Sequence, residues 1–82
     1  CHGREGGCEN WIDPNVYLYK NYADKAYTLE ECAGMCLLDS ECGGFRLKKG
    51  TGNCSLVGRG CMFVEKKSDW MQYNISTCSG KS

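Results

Sequence analysis

Eight cysteines in a chain of 82 residues constrain the fold more than any other feature of this sequence. A chain of this length buries too little apolar surface to be comfortably stable without cross-links. A high and even cysteine count therefore predicts a disulfide framework that uses all eight residues and forms in an oxidising compartment. The chain begins at Cys1 without an apolar leader, and we interpret it as a mature secreted form or as an excised piece of a longer chain.

Metal binding is the alternative use of so many cysteines, but their spacing argues against it. Paired zinc sites need closely spaced ligands in two clusters, and the sequence has no Cys-x-x-Cys pair. Its only histidine, His2, lies in a glycine-rich segment. We therefore expect no metal and no other cofactor.

The charge balance excludes further classes of partner. Ten basic residues offset ten acidic residues, so the formal net charge is zero and the chain exerts no general attraction on nucleic acid or anionic membranes. No apolar run approaches the roughly 18 residues that a membrane-spanning helix needs. We expect a single domain over residues 1–82, with no nucleic-acid partner and no membrane insertion.

The clearest local signal in the sequence is a helix that begins after Thr28. Thr28-Leu29-Glu30-Glu31 is a capping box, in which the Thr28 hydroxyl accepts from the Glu31 amide and the Glu31 side chain accepts in return. Apolar residues then recur at helical spacing on one face, which predicts a helix over residues 29–38. Those residues are Leu29, Cys32, Ala33, Cys36 and Leu37.

The rest of the chain has the composition of strands and turns. We expect residues 1–15 to form a loop, because the segment starts glycine-rich and ends in the turn signal Asp13-Pro14-Asn15, and we expect a turn over the polar residues 21–26. Residues 42–47 and 54–57 form a hairpin pattern around a glycine-rich turn. Further strand candidates are residues 16–19, 61–64 and 70–75.

The helix and the hairpin together resemble the PAN/apple family of small secreted modules. The resemblance lies in two cysteines one helical turn apart, Cys32 and Cys36, followed by Cys42-Gly43-Gly44-Phe45 and by Cys54-Ser55-Leu56. It implies an α+β fold in which one helix packs across an antiparallel sheet of four or five strands.

The same resemblance implies part of the disulfide pairing. It joins Cys32 to Cys54 and Cys36 to Cys42. It also joins a cysteine near the start of the chain, Cys1 or Cys8, to Cys78. Cys61 then pairs with whichever of Cys1 and Cys8 remains, and the sequence does not decide between these two arrangements.

Little in the sequence indicates an enzyme. A terminal histidine is a poor place for an oriented base. The adjacent carboxylates Glu30 and Glu31 are explained by the capping box. Paired cysteines leave no thiolate nucleophile. We expect no catalytic residues.

Binding has better support, from aromatic and basic side chains. A core this small cannot hide every aromatic ring, and Trp, Tyr and Arg often anchor interfaces. A basic group in and after the hairpin would suit a sulfated glycan or an acidic protein surface. The candidate binding residues are Arg46, Lys48, Lys49, Arg59, Tyr17, Tyr19 and Trp70. Asn74-Ile75-Ser76 is a sequon, so Asn74 is a candidate for N-glycosylation.

These observations favour a secreted, non-catalytic recognition module that binds an extracellular protein or carbohydrate. One alternative is a free-standing secreted effector or toxin that acts on a channel or a blood protein. Another is a protease inhibitor that presents Lys48 or Arg59 to a trypsin-like pocket.

Overall fold

A computed structural model describes residues 2–9 and 20–78 of the chain. Cys1, Tyr17 and Tyr19, the predicted strand over residues 16–19 and the side chain of Cys78 lie outside that description. The strands are β1 (Gly3–Cys8), β2 (Lys20–Tyr22), β3 (Cys42–Lys48), β4 (Cys54–Gly58), β5 (Phe63–Glu65) and β6 (Trp70–Asn74). The helices are α1 (Leu29–Leu37) and α2 (Ile75–Cys78).

The strands form one antiparallel sheet in the order β2-β4-β3-β6-β1-β5, with α1 packed across one face. This is the small disulfide-bonded α+β domain that the sequence predicts. The sheet has six strands, however, rather than four or five. Two segments that the sequence assigned to loop or turn are strands in the structure. They are β1, which lies between β6 and β5, and β2, which lies at one edge of the sheet.

Helix α1 begins as its capping box predicts. The Glu31 amide donates to the Thr28 hydroxyl at 3.1 Å, and the Thr28 amide donates to the Glu31 carboxylate at 2.9 Å. Lys25 reaches the other oxygen of the same carboxylate at 2.8 Å. The pKa of Glu31 therefore lies below its ordinary value, because the Lys25 ammonium and the Thr28 amide both favour the charged form.

The main core lies between α1 and the sheet. Phe45 of β3 is fully buried and stacks on Tyr73 of β6, with ring centroids 4.9 Å apart. Two bridges fasten the helix to this core, and they are the two that the family resemblance implies. They are Cys32–Cys54, which reaches β4, and Cys36–Cys42, which reaches the start of β3.

A third bridge covers part of the opposite face of the sheet, which we call the far face. Cys8 at the end of β1 joins Cys61, so Cys8 does not pair with Cys78. The bridge packs on Val57, and the Gln72 amide donates to the sulfur of Cys61 at 3.0 Å. The bridge and these contacts tie the end of β1 and the segment before β5 to the rest of the sheet.

Strand β1 depends on two glycines that the sequence suggested were loop residues. A Cβ added at Gly3 would lie 2.5 Å from the ring of Tyr73, the residue of β6 that pairs with Gly3. Gly6 has a positive φ of 153°, and a Cβ there would lie 2.1 Å from the Val64 carbonyl oxygen. Glycine therefore permits the close approach of neighbouring strands at both positions.

Neither helix in the described part of the chain is long and apolar enough to cross a membrane.

Candidate functional site

The strand register brings three of the predicted binding residues together on the far face. Phe45 and Leu56 face the helix, and side chains alternate along a strand, so Arg46 and Lys48 project from the other side. Trp70 lies directly opposite Lys48 in the pairing of β3 with β6. It therefore shares the far face with both cations.

The three side chains are in contact and form what we call the Trp70 cluster: Arg46, Lys48 and Trp70. The Arg46 guanidinium carbon lies 4.6 Å from the centroid of the Trp70 ring, and the Lys48 ammonium lies 5.9 Å from it. Both distances are within the range of cation–π attraction. All three residues are half-buried, so each presents part of its surface to solvent.

Lys49, the next predicted binding residue, lies at the hairpin turn and is held by an ion pair. Its ammonium is 3.2 Å from the Glu5 carboxylate, and its backbone amide donates to the Asp69 carbonyl at 2.6 Å. The other oxygen of Glu5 accepts from the Ser68 amide at 2.7 Å. The pKa of Glu5 lies below its ordinary value because these donors, the Ser68 amide first and Lys49 second, stabilise the carboxylate.

Arg59 does not join this group, so the single basic patch expected from the sequence is divided. Arg59 follows β4, whose last residue, Gly58, pairs with Cys42 at the far end of β3 from the hairpin. Strand β4 is five residues long, so its Gly58 end lies about 17 Å from the end that adjoins the hairpin turn. The Arg59 guanidinium donates twice to the Ser40 carbonyl, at 3.0 and 2.7 Å, which fixes it beside the loop that follows α1.

Arg59 instead lines a pocket at its own end of the far face, which we call the far-face pocket. Its volume is about 400 Å³. The side of the pocket opposite Arg59 carries Arg4, whose guanidinium lies 5.1 Å from the centroid of the Phe63 ring and 3.7 Å from Glu65. Its other polar lining residues include His2, Gln72 and Asn74.

Sequence reasoning did not find the contribution of Arg4 and Phe63 to this pocket. They are distant in the chain and meet only because β5 pairs with β1 along its outer edge. The one signal in the sequence was the pair of cysteines at positions 8 and 61, since the bridge between them draws the two segments together.

A third surface feature is an apolar area on the outer side of α1. Leu38 is 90% exposed and Leu37 is 53% exposed. A shallow groove runs beside them over Gly34, where an added Cβ would contact nothing within 4 Å.

Comparison of the chain with protein-family models, curated proteins and solved structures found no match. The fold therefore defines the class, a small disulfide-bonded α+β domain, and the PAN/apple assignment stays a prediction. In chemical terms, the Trp70 cluster offers two cations held over one aromatic ring. Such a set can pair with anionic groups through the guanidinium and the ammonium.

Proposed function

We propose that this domain is a non-catalytic recognition module of the extracellular space that binds a sulfated glycan through the Trp70 cluster. The observation that carries the proposal is the contact of Arg46 and Lys48 with the ring of Trp70. An extracellular location is part of the proposal, because the disulfides of the described residues belong to oxidising compartments.

The charge of the Trp70 cluster favours a sulfated sugar as ligand. Sulfate groups pair with a guanidinium in a bidentate geometry and with an ammonium as a point charge. The ring of Trp70 holds the two cations near one another, so that both can meet the same anionic ligand. Lys49 lies at the same end of β3, but its ammonium is paired with Glu5, so we assign it no contact with the ligand.

The hairpin that carries Arg46 and Lys48 is held by backbone hydrogen bonds before any ligand binds. The Lys48 amide donates to the Asn53 carbonyl at 3.0 Å, and the Gly52 amide donates back to the Lys48 carbonyl at 2.9 Å. Gly50 and Gly52 adopt positive φ values of 85° and 75°, which the tight turn requires. Binding would therefore lose little ordering entropy.

The test is titration calorimetry with a heparin-derived octasaccharide as the probe, at low and at high salt. We expect Lys48→Ser to weaken binding about fivefold, equivalent to about 1 kcal/mol for one exposed charge contact. Trp70→Ala should weaken it about tenfold, because it removes the ring that orients both cations. Higher salt should weaken binding of the wild type, since exposed charges are screened beyond about 10 Å at 0.1 M.

Lys25→Ser is the matched control. It removes the same charge from a lysine that also lies over an aromatic ring, that of Tyr27, but on the helix side of the domain. Equal losses in Lys25→Ser and Lys48→Ser would mean that only net charge matters and would contradict a site at Trp70. Absence of octasaccharide binding at low salt would contradict the choice of a sulfated glycan.

Protease inhibition has less support from the described residues. An inhibitory loop must offer its basic residue to the pocket of the protease. Arg59 is tied to Ser40 by two hydrogen bonds, and Lys48 lies over Trp70. Either side chain would have to break these contacts before it could enter the pocket of a protease, and the cost of breaking them disfavours inhibition.

A further inference from the structure

The chain contains two sequons, and the structure distinguishes them. Besides Asn74-Ile75-Ser76, the sequence Asn53-Cys54-Ser55 also fits the pattern, because any residue except proline is allowed in the middle. An enzyme that glycosylates asparagine must reach both the asparagine and the hydroxyl two residues later.

The sequon at Asn53 is built into the sheet. Ser55 is completely buried in β4, and its hydroxyl donates to the Asn21 side chain at 2.7 Å. Cys54 between them is also completely buried and bridged to Cys32. The hydroxyl of this sequon is therefore out of reach once β4 has paired.

The sequon at Asn74 lies at the surface, where β6 ends and α2 begins. Asn74 and Ser76 are both exposed. The side-chain oxygen Oδ1 of Asn74 accepts from the Ser76 amide at 2.9 Å and from the Ser76 hydroxyl at 2.7 Å. The two side chains that define the sequon thus lie together at the surface, where they stay accessible after folding.

We propose that Asn74 is the N-glycosylated residue of this domain and that Asn53 stays unmodified. The amide nitrogen of Asn74 attacks the anomeric carbon of an oligosaccharide carried on a lipid diphosphate. The bond from that carbon to the diphosphate oxygen breaks, and the lipid diphosphate leaves with the electron pair. The amide nitrogen loses one proton to solvent as the new carbon–nitrogen bond forms, so the products are the glycosylated asparagine, the lipid diphosphate and one proton.

The position of Asn74 determines which part of the far face a glycan would cover. Asn74 lines the far-face pocket, so a glycan there stands over the pocket entrance beside Arg4 and Arg59. Trp70 projects from the same face four residues earlier on β6, about 13 Å away. Glycosylation and ligand binding at the Trp70 cluster are therefore compatible, and the modification does not depend on the proposed function.

The experiment is secretion of the full chain from cultured animal cells behind a cleavable leader, followed by intact-mass measurement. Peptide-N-glycosidase treatment in heavy-oxygen water then converts a modified asparagine to labelled aspartate. We expect one glycan per chain, with the label at Asn74 only. Asn53→Gln should leave the glycan in place, and both Asn74→Gln and Ser76→Ala should remove it.

Three results would overturn the proposal. The first is a secreted wild-type chain whose mass does not change on glycosidase treatment. The second is the label at Asn53, and the third is a glycan that persists in Asn74→Gln. If the Asn74→Gln and Ser76→Ala chains fail to leave the cell, labelling of the wild type still decides the question, and Ser76→Thr tests the sequon with the hydroxyl retained.

Discussion

Gly34 occupies the interior of helix α1, where glycine is a costly choice. Nothing lies within 4 Å of the position that a Cβ would take, so alanine would fit without any clash. Glycine loses more backbone freedom on folding than alanine does. We therefore expect Gly34→Ala to stabilise the domain.

The size of the effect follows from the absence of neighbours. With no new packing and no strain, the gain reduces to the difference in helix propensity, about 0.5–1 kcal/mol. For a domain of this size each kcal/mol raises the melting temperature by about 4–8 °C. The expected increase is therefore between about 2 and 8 °C.

Gly44→Ala is the informative contrast. Its added Cβ would lie 2.6 Å from the Tyr73 carbonyl oxygen, so β3 and β6 would have to separate. Overpacking of this kind costs about 1–3 kcal/mol. Guanidinium unfolding with the disulfides intact measures both variants, and an unchanged slope confirms that only stability has changed. A destabilised Gly34→Ala variant would refute the reasoning, because it would mean that the helix needs the space beside Gly34.

Three further predictions concern other parts of the domain. Thr28→Ala should lower the unfolding free energy by about 1 kcal/mol through loss of the helix cap, whereas Thr28→Ser should retain it; guanidinium unfolding distinguishes them. The Tyr27 hydroxyl donates to Asp24 at 2.6 Å, which with burial and nearby negative charge raises the pKa of Tyr27 from 10.0 to about 12. Because the folded state holds this proton more tightly, its stabilising effect is present below pH 10 and is lost as the pH rises to about 12; ultraviolet titration should show a late-ionising phase from Tyr27, and Asp24→Asn should abolish it. Peptide mapping without reduction should find Cys1 joined to Cys78, since the described bridges use the other six cysteines, and titratable thiol in the denatured protein would contradict it.

Local signals in the sequence predicted the helix well. The capping box depends on residues three positions apart, and the apolar face of α1 depends on helical spacing, so both are encoded within one short segment. The hairpin of β3 and β4 was also predicted, because a glycine-rich turn separates two apolar runs. Each of these elements is determined by its own residues.

The far face was harder to predict because its contacts are long-range. Strand β1 is rich in glycine, which usually indicates a loop, and its role becomes clear only when the Tyr73 ring is seen to lie across Gly3. The division of the basic residues had a similar cause. Arg59 is close to Lys48 in the sequence, but the hairpin reverses the chain and carries Arg59 to the opposite end of the strands.

The position of β1 has a consequence for the order in which the domain folds. Gly3 pairs with Tyr73, 70 positions later in the chain, whereas the hairpin of β3 and β4 closes over only a few residues. Contacts of such different sequence separation carry different entropic costs of loop closure, and the distant ones form late. We expect the helix, the hairpin and their two bridges to form a first folding unit. The strand pair β1–β6 and the bridge at Cys8 would then close the molecule, so the face that carries the proposed ligand and glycan sites is completed last.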